Sequence, residues 1–236
     1  MTMTNKQIKA NDVNGLSDSV RQVASGSGGS KASKVVNTRK PCINIGTWNV
    51  RTMQKDGKLE NLQEEMKKNN INILGISETH WKGDGDFTND GFRIIHAGGK
   101  KKARGVAVIL DKKMANSISR IQQKNDRILL VKIDAQPQNI IVIQVYMPTT
   151  QHNDNEIEDM YEEIEELMDA QQGNDYLVIM GDWNAVVGEG RQEKQVGDYG
   201  LGNTNSRGVM LREFCQRRNL TITNTWFKQE KRRLYT

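Results

Sequence analysis

The sequence has few cysteines and no long apolar run. Its 236 residues include two cysteines, Cys42 and Cys215, too few for a disulfide framework and fitting a reducing compartment. No apolar run approaches the roughly 20 residues that span a bilayer. The segment from Met1 to Asn11 lacks the apolar core of a secretory signal. We therefore expect a nuclear or cytoplasmic protein that is not secreted and does not associate with a membrane.

Most of the chain has no excess of positive or negative charge. The formal net charge is +5, but residues 1–40 hold seven Lys/Arg and two Asp, which accounts for the whole excess. The remaining residues carry 27 positive and 27 negative side chains. The basic composition is therefore weak evidence that the folded part binds nucleic acid.

Residues 1–40 have the composition of a disordered segment. They contain no aromatic residue and include a Ser/Gly run at residues 25–30. Such a segment buries too little apolar surface to offset the entropy of ordering. We expect a disordered basic tail over 1–40 and one domain with a sizeable core over 41–236. A solvated tail is the favoured interpretation, and a contact with nucleic acid or a transport receptor is the alternative.

Apolar periodicity after Cys42 predicts a mixture of strands and helices. Helices are predicted at residues 57–69, 156–172 and 209–218. Predicted strands lie at residues 43–49, 71–78, 92–96, 106–110, 127–133, 139–146, 176–180 and 220–225, with Gly-rich loops at residues 82–91 and 186–205. The order shows no strict βαβ alternation. It favours an α+β class in which two mixed sheets pack together with helices outside them.

Four of the predicted strands end in polar residues of catalytic type. These ends are Asn49, Glu78, Tyr146 and the pair Asp182 and Asn184. The last two residues are two positions apart, so an extended chain places them on one face, although a simple turn is the alternative. Strand ends often converge on one cleft. Two carboxylates, two amides and a phenol form an oxygen-rich set that suits Mg²⁺ or Mn²⁺ rather than zinc.

Five short motifs occur in an order that resembles a known family. They are Thr47-Trp48-Asn49-Val50, Ser77-Glu78-Thr79-His80, Arg104-Gly105-Val106-Ala107-Val108, Val145-Tyr146-Met147-Pro148 and Gly181-Asp182-Trp183-Asn184. Together they resemble the endonuclease/exonuclease/phosphatase superfamily, and within it the apurinic endonuclease-like nucleases of non-LTR retrotransposons. The resemblance extends from Ile45 to Phe227. It implies a four-layer α/β sandwich that cleaves phosphodiesters with magnesium.

The resemblance implies a role for each strand-end residue. Glu78 would bind the metal, and Asp182 would orient or deprotonate the attacking water. Asn49 and Asn184 would hold phosphate oxygens and their catalytic neighbours, and Tyr146 would stabilise charge on the phosphate. Magnesium is the implied cofactor, with manganese as a substitute. DNA is the implied partner of a monomer without an obligate protein partner.

Several further residues are candidates for a supporting role. Candidate nucleic-acid contacts are Lys101, Lys102, Arg104 and Arg207. The first three lie in a basic turn that could grip a phosphate backbone, and a solvated hairpin turn is the equal alternative. Trp48 and Trp183 are expected to pack beneath the site.

The family pattern also includes a C-terminal Ser-Asp-His element, which this sequence lacks. The histidines, His80, His96 and His152, occur in other contexts. The domain is therefore expected to stop before its final strands. Three functions stay open: a magnesium-dependent DNA-nicking endonuclease, an inactive truncated or domesticated remnant with weak nucleic-acid or metal binding, and a phosphatase or phosphodiesterase acting on inositol phosphates or lipids.

Overall fold

The computed structural model describes residues 2–4, 42–149, 152–171, 173–191 and 194–228. The described residues other than Cys42 belong to one compact unit. Residues 5–41, which make up most of the expected disordered tail, lie outside the described ranges. Within that tail, Thr2–Thr4 form a strand that pairs with two others. Three residues are too few for a sequence pattern to reveal, and the pairing comes from tertiary neighbours.

Strands and helices alternate irregularly along the described residues. The strands are β1 (Thr2–Thr4), β2 (Ile45–Asn49), β3 (Ile73–Ser77), β4 (Gly85–Asn89), β5 (Phe92–Ala97), β6 (Val106–Leu110), β7 (Ile118–Asn125), β8 (Ile128–Ile133), β9 (Ile140–Tyr146), β10 (Tyr176–Asp182) and β11 (Thr221–Ile222). The helices are α1 (Lys58–Lys68), α2 (Lys112–Ala115), α3 (Asp154–Asp169) and α4 (Ser206–Arg217), followed after β11 by a 3-10 turn at Thr223–Thr225. No helix in these ranges has the length and apolar character needed to cross a membrane.

The strands form two mixed sheets. One sheet has six strands in the order β11-β1-β10-β9-β8-β7, and the other has five in the order β2-β3-β6-β5-β4. The pairs β9 with β10 and β2 with β3 are parallel. Strands β8 and β6 run antiparallel to β9 and β3. Their first residues therefore lie at the edge where β9 and β3 end.

Three apolar clusters show four packed layers. Inner-face side chains of the two sheets, such as Val108 and Leu129, pack against each other. Helix α1 covers the outer face of the five-stranded sheet through Leu62. Helices α3 and α4 cover the outer face of the six-stranded sheet through Ile164 and Phe214. The α+β class and the two helix-flanked sheets predicted from the sequence are therefore confirmed.

Side-chain caps set the starts of the two longer outer helices. The Asn153 side chain accepts a hydrogen bond from the backbone N–H of Glu156, so α3 begins at Asp154. The Asn205 side chain accepts from the N–H of Gly208, so α4 begins at Ser206, earlier than the apolar stripe predicts. An asparagine at this position satisfies N–H groups that have no partner within the helix.

Besides β1 and the short helix α2, which no pattern predicted, three strands differ from the prediction. Residues 85–89 form strand β4 inside an expected loop, and residues 118–125 form the unpredicted strand β7. Both lie at sheet edges, where exposed polar side chains hide the alternation typical of strands. The strand predicted at residues 220–225 is shorter, because Thr223–Thr225 turn into a 3-10 helix.

Candidate active site

The ends of β2, β3, β9 and β10 meet at one edge of the sandwich. Asp182 is in register with Tyr146, and Asn49 is in register with Ser77, the residue before Glu78. Across the two sheets, Asn49 Nδ2 donates to Asp182 Oδ2 at 2.7 Å, and the Tyr146 hydroxyl donates to Glu78 Oε1 at 3.1 Å. These predicted residues therefore form one partly buried group, which with Asn184 we call the strand-end cluster.

The Asn49 amide bridges two carboxylates. Its Nδ2 donates to Glu78 Oε1 at 2.8 Å as well as to Asp182 Oδ2 at 2.7 Å. Its Oδ1 accepts the backbone N–H of Arg51 at 3.0 Å, which sets the orientation of the amide. Both amide protons are thus used within the protein. Asn49 holds its neighbours in place here and has no proton left for a phosphate oxygen.

Tyr146 is a proton donor in this cluster. Burial, followed by the negative charge of Glu78 and the hydrogen bond to that carboxylate, raises the pKa of Tyr146 to about 12. The phenol therefore keeps its proton at neutral pH. It can donate a hydrogen bond, but it cannot serve as a base.

Asp182 and Asn184 are fixed by short-range bonds at the end of β10. Asp182 Oδ1 accepts the backbone N–H of Asn184 at 3.0 Å. Asn184 Nδ2 donates to the backbone oxygen of Met147 at 2.8 Å. The amide has a second proton on Nδ2, for which the described residues offer no partner. Asn184 is therefore the amide of the cluster that can still donate to a ligand.

The backbone around the cluster adopts uncommon left-handed conformations. Glu78 has a φ of 61° and Asn184 a φ of 45°, while Arg51 and Thr52 in the loop after β2 have φ of 48° and 94°. Each such residue costs on the order of 1–3 kcal/mol and persists only where its surroundings enforce it. Here the backbone N–H of Thr52 donates to the backbone oxygen of Glu78 at 2.7 Å, which joins two strained segments. The positions of these side chains are therefore imposed by the fold.

A buried polar contact joins the two sheets beneath the cluster. Gln144 Nε2 donates to Ser77 Oγ at 2.9 Å, and that hydroxyl donates to a backbone oxygen of β9 at 3.2 Å. Both side chains are fully buried, and they lie next to the strand ends that carry Glu78 and Tyr146. A Cβ on Gly75 would lie 1.9 Å from Gln144 Oε1, so any larger residue there would force the glutamine side chain to move. The sequence signal for this contact is a glutamine inside an apolar strand.

Arg127 is a neighbour of the cluster that the sequence analysis missed. Its guanidinium lies over the Tyr146 ring, 5.1 Å from the centroid, and Nη1 donates to the backbone oxygen of Tyr146 at 2.9 Å. The residue is only 6% exposed. Burial and then the charge of Arg104 lower the pKa of Arg127. A charged residue directly before the apolar strand β8 is the signal that could have revealed it.

The predicted nucleic-acid contacts have different surroundings. Lys101, Lys102 and Arg104 are exposed. Arg104 Nη1 lies 3.8 Å from Asp126 Oδ1.

Arg207 is instead buried between the first turns of α3 and α4. Its Nη1 donates to Asp154 Oδ1 at 2.7 Å, and Nη2 donates to the His152 oxygen at 2.9 Å. This guanidinium is committed to a contact between helices, and we assign no phosphate contact to Arg207.

The histidines are not part of the strand-end cluster. His80 follows Glu78 closely, but its ring makes no hydrogen bond within the described part of the chain. His96 is buried with its ring 5.0 Å from Trp81, and burial lowers the pKa of His96. The His152 Nδ1 lies 3.1 Å from the Thr149 hydroxyl. No imidazole is bonded to the carboxylates of the site.

The two tryptophans next to the site residues have opposite environments. Trp183 is 3% exposed and packs in the core beneath the outer helices, as expected. Trp48 is 51% exposed, so the expectation that it packs beneath the site is wrong. Within the described residues β2 is an edge strand of its sheet, so no neighbouring strand covers Trp48 on that side.

The donor set fits a hard divalent cation. Glu78 Oε2 accepts no hydrogen bond from the described residues, while Oε1 accepts two. The cluster offers oxygens and amide groups, without sulfur or imidazole ligands. The described residues contain no group of three or more His, Cys, Asp or Glu arranged to hold a metal. Such a site suits an ion that keeps most of its water and needs one or two carboxylates, as Mg²⁺ does.

Comparisons with known proteins agree with this geometry. The family described as Endonuclease/Exonuclease/phosphatase family matches residues 46–233 of the chain. The chain belongs to this family. The family resemblance inferred from the five motifs is thereby confirmed. Craniofacial development protein 2 from Bos taurus is 44% identical over 193 residues, which are 81% of this chain and 32% of that protein. The chain therefore spans about a third of the length of this curated relative.

Two solved structures share the fold of this chain. The endonuclease domain of TRAS1, a telomere-specific non-LTR retrotransposon, has a TM-score of 0.54 and 16% identity, over 75% of this chain and 71% of that one. The AP endonuclease LMAP from Leishmania major has a TM-score of 0.53 and 13% identity, over 73% and 66% of the two chains. At these identities the likeness establishes the sandwich fold alone.

Proposed function

We propose that this chain hydrolyses phosphodiester bonds of DNA with the help of a divalent cation, most readily Mg²⁺, and so nicks a DNA strand. The observation that carries the proposal is the Asn49 amide. Its Nδ2 donates a hydrogen bond to each carboxylate, of Glu78 and of Asp182, and so holds the two side by side. Two negative charges kept this close repel each other, and a bound cation relieves that repulsion. Membership of the family supports the same chemistry, because its enzymes are generally dependent on divalent metals.

Glu78 is the residue that would hold the cation, through the Oε2 that has no partner within the described residues. When bound, the cation supplies positive charge that neutralises the phosphate oxygens. Asp182 is held rigidly by two hydrogen bonds and is placed to orient the attacking water and accept its proton. Asn184 can donate its second Nδ2 proton to a phosphate oxygen. Tyr146 stays protonated and can donate its O–H to the developing negative charge.

DNA as the substrate is supported by the surface around the cluster. Lys101, Lys102 and Arg104 are exposed in the turn before β6, which starts at the same edge as the strand-end cluster. Cations beside a phosphodiesterase site neutralise backbone phosphates. Two structures with this fold are named as endonucleases, which motivates the choice of DNA.

A second candidate function is metal and nucleic-acid binding without turnover. It is favoured by the positions of His80, His96 and His152, none of which is hydrogen-bonded to Glu78 or Asp182. A site without an imidazole lacks a group that could hold the scissile phosphate or share its proton. The two candidates differ in one observable, the cleavage of a phosphodiester by the folded chain.

The test is the nicking of supercoiled plasmid by the purified chain, with Mg²⁺ and with EDTA. Glu78→Gln and Asp182→Asn keep the shape of each side chain and remove its charge. We expect each to slow nicking by about a hundredfold or more, because the metal anchor or the base is lost. Glu162→Gln, an exposed carboxylate on α3, is the matched control and should behave like the unmodified chain.

Nicking that persists in EDTA, or in Glu78→Gln, would contradict the metal-dependent mechanism. A folded chain that binds Mg²⁺ without nicking would support the second candidate. Inositol phosphates and lipid phosphates in the same assay separate DNA cleavage from the phosphatase alternative, since a preference for either would contradict DNA as the substrate.

A further inference from the structure

The six-stranded and five-stranded sheets face each other through successive strand pairs at the edge that carries the cluster. Asn49 on β2 bonds to Asp182 on β10, and Tyr146 on β9 bonds to the residue that follows β3. The next strands in the two sheets are β6 and β8, and they are also joined at this edge. There the backbone N–H of Gly105 donates to the backbone oxygen of Asp126 at 3.0 Å. The row of cross-sheet pairs therefore continues one strand past the carboxylates.

This third pair of strands carries two arginines at the edge. Arg104 lies just before β6, and Arg127 lies just before β8. Neighbouring strands are about 4.8 Å apart, so the arginines lie roughly one strand spacing beyond Glu78 and Tyr146. The negative charges of the strand-end cluster are thus followed along the same edge by positive ones.

Arg127 is buried without a carboxylate of its own. It is 6% exposed, yet no ion pair joins it to any described residue within 4.0 Å. One guanidinium bond goes to a backbone oxygen, at 2.9 Å, and the ring of Tyr146 covers one face. The other N–H groups have no protein partner in the described ranges and are not sealed from solvent. A buried guanidinium is costly unless an anion completes its surroundings.

None of the described charged groups near Arg127 takes the place of such an anion. Arg104 lies close enough to lower the pKa of Arg127, while Tyr146, Asp126 and Glu156 raise that pKa more weakly. Asp126 is already paired with Arg104, at 3.8 Å. Arg104 is 42% exposed, and its backbone has a left-handed φ of 62°. Asp126 therefore balances only one of the two guanidinium groups, and no described carboxylate forms an ion pair with Arg127.

We propose that Arg127 and Arg104 form a second phosphate subsite, which binds the phosphodiester next to the one that reacts at Glu78 and Asp182. The inference rests on the proposed function and deepens it. The substrate is then a nucleic-acid strand that continues past the reacting phosphate, and a small ester with a single phosphate leaves this subsite empty. A guanidinium suits the task because its planar N–H groups match two oxygens of one phosphate.

The first test compares two substrates for each variant. Arg104→Met and Arg127→Met are assayed for nicking of supercoiled plasmid and for hydrolysis of bis(p-nitrophenyl) phosphate, which has one phosphate. We expect each variant to lower kcat/KM for plasmid by about tenfold, which corresponds to one lost charge-assisted contact. Arg104→Met should leave hydrolysis of the small diester unchanged, and Arg127→Met should lower it less than it lowers plasmid nicking, because Arg127 also contacts Tyr146. Arg120→Met, an exposed arginine on β7, is the matched control. An equal loss on both substrates would show that the arginines act through Tyr146 or the fold, and would overturn the proposal.

A second test does not depend on turnover. The affinity for a short fluorescein-labelled DNA duplex is measured by anisotropy at several salt concentrations, with Ca²⁺ replacing Mg²⁺. Loss of one phosphate contact should reduce the slope of log K against log salt by about 1 in Arg104→Met and Arg127→Met, but not in Arg120→Met. Arg104 is exposed, so its variant remains informative if Arg127→Met does not fold.

The two tests separate the proposals. If the chain cleaves neither substrate but the two arginine variants show the reduced salt slope, the proposed hydrolase function is contradicted and the phosphate subsite is supported. If the chain cleaves both substrates and the salt slope is unchanged in both variants, the hydrolase function is supported and the subsite proposal is contradicted. A chain that binds no DNA overturns the subsite whatever its activity.

Discussion

Asn49 Nδ2 carries two protons, and each is donated to a different carboxylate, one on Glu78 and the other on Asp182. Without this amide no hydrogen bond would offset the repulsion between the two negative groups. The residue type at position 49 could be identified from the sequence as part of a site. That its amide serves the carboxylates rather than a phosphate depends on bonds between separate strands.

The hydroxyl of Tyr146 offers a pH-dependent test at the same scale. Its pKa is raised from 10.0 to about 12 in the fold, so its contribution to stability is fully present below pH 10 and is lost as the pH rises toward 12. We expect the difference in unfolding free energy between the unmodified chain and Tyr146→Phe to narrow only above pH 10. Denaturant unfolding at several pH values measures it.

The absorbance of tyrosinate gives an independent check on Tyr146. The difference spectrum between the unmodified chain and Tyr146→Phe should show no ionisation near pH 10. A tyrosinate that forms there would contradict both the buried environment and the role of Tyr146 as a donor at neutral pH.

Among the strands, the inner ones were predictable and the edge ones were not. Strands β3, β6 and β9 are buried almost throughout, and their apolar runs stand out in the sequence. Strands β4 and β7 have exposed polar residues and exist because a neighbouring strand pairs with them. Glu78, Tyr146 and Asp182 lie at the ends of inner strands, whose apolar runs mark those ends in the sequence, whereas Asn49 ends the edge strand β2.

The polar contact between β3 and β9 gives a prediction at the scale of these elements. Gln144 Oε1 is buried without a hydrogen bond, so Gln144→Leu removes a costly group. We expect a free energy of unfolding equal to or slightly above that of the unmodified chain. Nicking should slow by about tenfold, because the link that holds Glu78 opposite Tyr146 is lost.

The comparison of stability with kcat separates positioning from packing for Gln144. Ser77→Ala removes the other half of the contact and should lower kcat in the same direction. Ile141→Leu, a change of shape in the same strand away from the contact, is the control. Unchanged kcat in Gln144→Leu, or a fall in kcat matched by a fall in stability, would count against a positioning role.

For the whole molecule, the four-layer packing places stability and function in different regions. The two sheets and the outer helices bury three apolar clusters, while the strand-end cluster lies at the edge of the sandwich. Two close carboxylates and several left-handed residues at that edge oppose folding in the absence of a cation. A bound cation should therefore stabilise the entire domain.

Magnesium is expected to raise the Tm of the unmodified chain and to have little effect on Glu78→Gln. At a free concentration of 100 times Kd, one site contributes about 2.7 kcal/mol to the unfolding free energy. Glu78→Gln alone should be at least as stable as the unmodified chain without metal, because repulsion with Asp182 is relieved. Thermal melts with Mg²⁺ and with EDTA measure both effects. An equal Mg²⁺ shift in the two proteins would place the ion elsewhere.

The sequence by itself determined the α+β class, the inner strands, the outer helices and the residue types of the strand-end cluster, because apolar periodicity and polar strand ends are local patterns. Only the tertiary structure decided which residues become partners. Asn49 and Asp182 are 133 residues apart and share a hydrogen bond. Arg127 lies against Tyr146, whereas Arg207 forms hydrogen bonds between two helices. Such choices follow from the packing of one sheet on another, and no local pattern records that packing.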